Sequence, residues 1–218
     1  MSIENALRFV ELVAARMSHD LVGPVGATVN GIELLSEGEA ADPEVVRLIG
    51  HSARQSSRRL QVFRAIYGTP GALPAGAPFA AAALLLSGML DGEKVSMRPW
   101  AVEPALEAAA GRAGARVALF AGFLLTEALP RGGEIGLSTS LAGAIATFDW
   151  LAEGTGARLL EEVTSTLAGK IPLADISAKA VPAEMLRRLV AESGGKIVQT
   201  PGKDRFGLTV TVTAPGDD

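Results

Sequence analysis

The chain predicts an α+β fold: an N-terminal helical hairpin that pairs into a dimeric four-helix bundle, followed by a two-layer α/β sandwich. Three observations carry this reading. Apolar residues recur at alternating spacings of three and four from Leu7 to Tyr67. A proline- and glycine-rich stretch, Gly68 to Pro78, then breaks the pattern. Beyond it helical and alternating segments intermix, as where Phe206, Leu208, Val210 and Val212 alternate with polar or small residues.

The first helix carries a seam of Leu7, Val10, Ala14, Met17, Leu21, Pro24, Thr28, Ile32 and Leu35, a heptad spacing with a small shift near its end. Ser36 to Pro43 supplies glycine, acids and proline, with Asp42 as N-cap and Pro43 at the first position of a second helix. That helix has its own seam: Val46, Ile49, Ala53, Ser56, Leu60, Phe63 and Tyr67. Two long helices and a short loop make an antiparallel hairpin. Both helices keep a second apolar set, Ile3, Phe9, Leu12 and Val13 on one and Val45, Leu48, Val62 and Ile66 on the other. Pairing two hairpins about a two-fold axis covers it, which predicts a homodimer.

The domain plan is therefore a hairpin over residues 1–68, a linker over 69–77 and a second domain over 78–218. In the second domain the patterns predict helices over about 79–90, 104–129 (interrupted near Gly111 to Gly114), 158–168 and 182–193. Strands are expected near 94–99, 134–139, 143–150, 195–200 and 206–213. Helices on one face of a mostly antiparallel sheet give the two-layer sandwich.

Composition narrows the function classes. The 218 residues carry a net charge of −4 with an isoelectric point near 5.3 and no basic stripe, which argues against a nucleic-acid partner. Zero cysteines and two histidines exclude disulfides and make a structural zinc site improbable. The start of the chain lacks a basic segment followed by an apolar run, and the apolar stretch Phe79 to Leu90 is shorter than the roughly 20 residues a bilayer needs. A cytoplasmic protein without a membrane partner is expected.

The heptapeptide Ser18-His19-Asp20-Leu21-Val22-Gly23-Pro24 concentrates the chemistry. Proline inside a helix costs about 3 kcal/mol, and the preceding glycine roughly 1 more. The hydrogen bond it removes would have ended on the carbonyl of Asp20, beside His19. With Leu7 at heptad position a, His19 falls at f, facing solvent. An exposed histidine keeps a large neutral fraction near pH 7, so one ring nitrogen has a lone pair for nucleophilic attack, and Asp20 can orient the ring by a hydrogen bond. His51 has no adjacent acid and no helix-disrupting pair nearby; it reads as an ordinary surface histidine.

A histidine, an acid, an apolar residue and a proline five positions after the histidine, on the first helix of a dimeric hairpin, resemble the phosphoacceptor box of sensor histidine kinases. Leu124 to Ile135 (LLTEALPRGGEI) resembles the helix-to-strand segment around that family's asparagine box. Leu186 to Ile197 (LRRLVAESGGKI) resembles the last helix and hairpin of its ATP-binding domain. Where the two asparagines would stand, one of them a magnesium ligand, this chain has Phe123 and Glu127. It has no Asp-x-Gly-x-Gly segment, and Asp175 to Val181 replaces the glycine-rich phosphate loop. Nucleotide binding is expected to be lost.

A kinase-like hairpin joined to a degenerate ATP-binding domain resembles the ChpT-type histidine phosphotransferases of alphaproteobacterial relays. The resemblance implies a homodimeric shuttle. His19, with Asp20, would take a phosphoryl group from the receiver domain of a hybrid kinase and pass it to response regulators, those of the cell cycle among them. The chain would need no cofactor of its own, since the receiver brings magnesium. Arg16, one turn before His19, either offsets phosphate charge or is solvated. Val22, Gly23, Gly26 and Asn30 line the exposed side of His19 and, with Arg16, are the expected receiver-binding residues. Two rival readings stand beside this one: a non-catalytic dimeric receiver-binding adaptor, and a divergent ATP-dependent histidine kinase.

Overall fold

The computed structural model describes residues 2–36, 42–68 and 70–214. The hairpin consists of α1 (Ile3–Ser36) and α2 (Pro43–Tyr67). Asp42 caps α2 as its residue type predicts, its carboxylate accepting from the Glu44 amide at 2.8 Å. Residues 37–41 of the expected connecting loop lie outside the described residues. The two helices approach closely at Gly31, where a Cβ would lie 2.4 Å from Cγ1 of Ile49, so glycine sets the hairpin's spacing there. α1 runs unbroken through Pro24.

The second domain follows in the order α3 (Pro78–Leu90), β1 (Val95–Met97), α4 (Pro104–Thr126), β2 (Gly133–Ala142), β3 (Ile145–Glu153), α5 (Glu161–Leu167), α6 (Val181–Glu192), β4 (Lys196–Gly202) and β5 (Arg205–Thr213). The strands form one sheet in the order β1-β2-β3-β5-β4, parallel between β1 and β2 and antiparallel elsewhere. Ala146, Phe148, Trp150 and Ala152 of β3 and Phe206, Leu208, Val210 and Val212 of β5 point into the core. Alternation puts Thr147, Asp149 and Thr209 on the opposite face, where Thr209 donates to Asp149 at 2.6 Å. α4 kinks at Gly111, whose φ of 51° only glycine adopts freely. It is long and apolar enough to cross a membrane, but 67% of its most apolar window is buried, as befits a core helix.

Hairpin and second domain share one core. Val62, Phe63, Ala65 and Ile66 at the end of α2 are buried with Phe120, Phe123 and Leu124 of α4. Phe63 meets Phe123, and Tyr67 meets Phe120, edge to face at 5.9 and 5.4 Å. The proline- and glycine-rich stretch between the two parts contains a short 3-10 turn (Pro70–Ala72), and Leu73 is buried in the same core. Leu73 anchors it, while Pro74 to Ala77 are exposed. Two further 3-10 turns, Leu173–Asp175 and Ala178–Ala180, lie against α1. Leu173, Ile176, Ala180 and Val181 form a small cluster with Leu12, and Phe9 and Val13 pack onto it.

This corrects the expectation that a second hairpin covers the second apolar set. The chain's own second domain covers Phe9, Leu12, Val13, Val62 and Ile66 of that set, Ile3 and Leu48 of the same set stay exposed, and so do Leu7, Val10 and Ile32 of the first seam. A heptad pattern reports which face is apolar, and does not say which of two apolar surfaces covers it.

α4 lies close against β3 and α3 at Gly122, where a Cβ would lie 2.6 Å from Cη2 of Trp150 and 2.7 Å from Cδ2 of Leu86. Both neighbours are fully buried and cannot yield. Gly122→Ala is expected to destabilise the protein by about 1–2 kcal/mol, overpacking exceeding the gain in helix propensity. Urea unfolding of the variant against the wild type measures this.

Candidate functional site

His19 stands on the outer face of α1 with 76% of its side chain exposed, as its heptad position predicts. Its Nδ1 lies 3.1 Å from Oδ1 of Asp20. In the neutral tautomer that donates from Nδ1 to this carboxylate, Nε2 keeps the free lone pair.

Asp20 is held in place. Only 8% of its side chain is exposed, and its second oxygen accepts from Nε of Arg16 at 2.8 Å. The Arg16 guanidinium, 11% exposed, reaches away from the surface into the second domain. Its Nη2 donates to Oε1 of Glu127, just past the end of α4, and its Nη1 to the Lys179 carbonyl at 3.4 Å. It also lies over the Phe123 ring, 6.0 Å from the centroid. Burial works against the Arg16 charge, but Glu127 and Asp20 together outweigh it and lift its pKa above the ordinary arginine value. The Glu127 carboxyl is also raised above its usual range: burial is the largest cause, Arg16 offsets it only in part, and the Asp20 charge adds to it.

The Gly-Pro pair has a visible use. Pro24 has no amide hydrogen to give the Asp20 carbonyl, and that carbonyl accepts a long hydrogen bond, 3.5 Å, from Nη1 of Arg59 on α2. The interruption thus links the residue beside His19 to the second helix. One turn on, the Pro24 carbonyl accepts from the Thr28 hydroxyl at 2.9 Å.

Val22, Gly23, Gly26 and Asn30 follow His19 at intervals of 3, 4, 7 and 11 residues, so all lie on its face of α1. Val22 is 70% exposed; Gly23 and Asn30 are exposed and Gly26 half-buried. Nothing comes within 4 Å of where a Cβ on either glycine would sit. The face is open and low beside the ring. Arg16 departs from expectation: its guanidinium turns inward, so it neither lies in solvent nor joins this face. Met17 and Leu21 pack against the shared core. His51 is half-buried and its ring abuts Gly92, away from this constellation.

Glu127, Lys179 and Arg59 join the site without having been singled out for it by the sequence. The four-residue spacing of Arg16 and Asp20 signals their ion pair. Nothing local signals Glu127, 111 residues away in the chain from Arg16.

A family model described as the histidine phosphotransferase C-terminal domain matches residues 79–205. The chain belongs to this family. This phosphotransferase-family chain is 46% identical over 67 residues to Protein phosphotransferase ChpT of Brucella abortus (strain 2308), a stretch covering 31% of this chain and 32% of that protein. The match thus spans about a third of the curated relative. The fold is similar to a bacterial phosphotransferase solved at 1.7 Å, with a TM-score of 0.77 and 25% identity over 96% of this chain and 97% of that one. The histidine kinase AdeS of Acinetobacter baumannii shares the fold, with a TM-score of 0.52 at 11% identity, covering 91% of this chain and 98% of that one. In this family member, the two positions where a kinase is expected to carry asparagines, Phe123 and Glu127, both grip Arg16 of the hairpin. Within Asp175 to Val181, the stretch expected from the resemblance to replace the phosphate loop, Ile176, Ala180 and Val181 pack on Leu12 of α1.

The raised Glu127 carboxyl predicts a pH signature. A carboxyl held above its unfolded value contributes stability that is fully present below the ordinary glutamate value and is lost as pH rises through the raised one. Glu127→Gln cannot titrate and keeps an oxygen acceptor for Arg16. Its stability relative to wild type is expected to improve as pH rises from roughly 4 to 8, read by urea unfolding across that series.

Proposed function

We propose that the protein is a histidine phosphotransferase of a multistep phosphorelay, moving a phosphoryl group between receiver aspartates through His19. The observation that carries this is the exposed imidazole whose Nδ1 is engaged by Asp20, leaving Nε2 open above a face of small residues. Nε2 attacks the phosphorus of a receiver's aspartyl phosphate in line. The acyl-phosphate P–O bond breaks, the receiver keeps its carboxylate, and a P–N bond forms at Nε2. The product ring retains its Nδ1 proton, and the Asp20 carboxylate offsets the positive charge that this creates. The reverse reaction loads the aspartate of a response regulator.

The partners on this reading are the receiver domain of a hybrid kinase and response regulators, docking on Val22, Gly23, Gly26 and Asn30, with the receiver bringing the magnesium ion. Gly23 offers no amide or hydroxyl to aim a water at the phosphohistidine, which favours transfer over hydrolysis. ATP has little to hold it. Arg16 occupies Glu127, and the adjoining cleft of about 310 Å3 is lined by three cations (Arg16, Arg59, Lys94) and three carboxylates (Asp20, Glu93, Glu127), a balance with no pull on a polyphosphate. The ATP-dependent kinase reading is disfavoured on these grounds, and a cytoplasmic location follows from the partners.

A homodimer belongs to the same reading. Leu7, Val10, Val25 and Ile32 of α1 and Val46 and Leu60 of α2 leave an apolar stripe exposed along the hairpin, and a second copy covers it as a four-helix bundle. The paired variant Val46→Asp, Leu60→Asp is expected to keep its fold and run as a monomer where the wild type runs as a dimer, measured by light scattering.

Reconstituted transfer tests the function. With a phosphorylated donor receiver, the full chain and an acceptor receiver, and no ATP, His19→Ala is expected to abolish phosphoryl flow. Undiminished flow would identify the protein as an adaptor. Labelling of the isolated protein by ATP would restore the kinase reading.

A further inference from the structure

We propose that Glu127 is a positioning residue: by gripping Arg16 from the second domain, it fixes the Asp20 carboxylate and thereby the ring of His19. The inference rests on the reading of His19 as the phosphoryl acceptor, and it gives the second domain a present task.

The contacts form one line. Arg16 has four anchors, and three of them, Glu127, the Lys179 carbonyl and the Phe123 ring, come from the second domain; the fourth is Asp20. A guanidinium is planar, so a grip on Nη2 sets the direction of the Nε edge as well. That edge meets Oδ2 of Asp20 at 2.8 Å, and the remaining oxygen is turned to Nδ1 of His19. A solvent-exposed Arg–Asp pair four residues apart on a helix is weak and mobile; this one is buried and held at its far end. Arg59, on the other side, holds only the Asp20 backbone carbonyl, so the Asp20 side chain depends on Arg16. His19 has no hydrogen-bonding partner besides Asp20 among the described residues. The order of dependence is Glu127, Arg16, Asp20, His19.

The lost asparagine thus has a replacement role. A carboxylate at position 127 accepts from the guanidinium with a full charge, where the amide oxygen of an asparagine is neutral and sits on a side chain one carbon shorter.

The test loads the full-length protein with phosphoramidate, a small donor that requires no receiver: its P–N bond breaks, ammonia leaves, and the new P–N bond forms at Nε2. Phosphorylation of His19 is expected to slow roughly tenfold in Glu127→Ala, with Glu127→Gln, which retains an acceptor oxygen, recovering most of the loss. Nitrogen-15 spectra of His19 are expected to show a single Nδ1–H tautomer in the wild type and a mixture in Glu127→Ala. In an Asp20→Ala background, adding Glu127→Ala is expected to change the rate by less than about twofold, because the effect passes through Asp20. Wild-type rate and tautomer in Glu127→Ala would overturn the proposal, as would an undiminished Glu127 effect without Asp20. Should Glu127→Ala fail to fold, Arg16→Lys, which keeps the charge and loses the planar fork, gives the same readout. Loss of receiver transfer in an otherwise Glu127-sensitive wild type would remove the shuttle reading alone; receiver transfer with no Glu127 sensitivity would remove the positioning proposal alone.

Discussion

The Arg16 guanidinium is the interaction on which the two halves of the molecule turn. It leaves α1 one turn before His19, passes under Asp20 and ends among Glu127, Phe123 and the Lys179 carbonyl. One positive charge between two carboxylates is a compromise: it keeps Arg16 ionised despite burial and leaves Glu127 undercompensated. Removing any member of such a buried group strands the others without partners. The hairpin is therefore fastened to the second domain at the level of the histidine, where rigidity bears on chemistry. The shared core of Val62, Phe63 and Ile66 with α4 fastens it again further along.

The second constraint is the proline at position 24. It leaves the helix intact but leaves the Asp20 carbonyl without its helical donor, and Arg59 of α2 answers it. Asp20 is thus tied by its side chain, through Arg16, to the second domain and by its backbone to the neighbouring helix, while Val22 and Gly23 after it are exposed. The outcome is a fixed ring above an unobstructed face, which suits the proposed attack on another protein's aspartyl phosphate.

Much of this was legible in the sequence. Asp42 and Pro43 fixed the start of α2, the alternation of Phe206 to Val212 gave β5, and the glycines near 111 marked the kink in α4. His19 was legible because three local signals coincided: an adjacent acid, a costly Gly-Pro and an outward heptad position. The inward turn of Arg16 was not legible. Its side chain is as long toward solvent as toward Glu127, and the partners that hold it inward, Glu127, the Lys179 carbonyl and the Phe123 ring, are all distant in the chain. The packing of Leu173, Ile176, Ala180 and Val181 on Phe9, Leu12 and Val13 was equally illegible: periodicity shows that a face is apolar, and tertiary structure decides what covers it. Position 127 showed in the sequence only as a missing asparagine, and its new partner became apparent only when the fold brought it to Arg16.

The central claim is that His19 acts as a phosphoryl acceptor through Nε2 with its Nδ1 proton held by Asp20. Combined phosphorus-31 and nitrogen-15 spectroscopy of the protein, loaded by a phosphorylated receiver in the absence of ATP, tests it most directly. The account predicts a phosphorus–nitrogen coupling to Nε2 of His19 alongside a retained Nδ1–H. Phosphate on Nδ1, or no phosphohistidine at all, would contradict it.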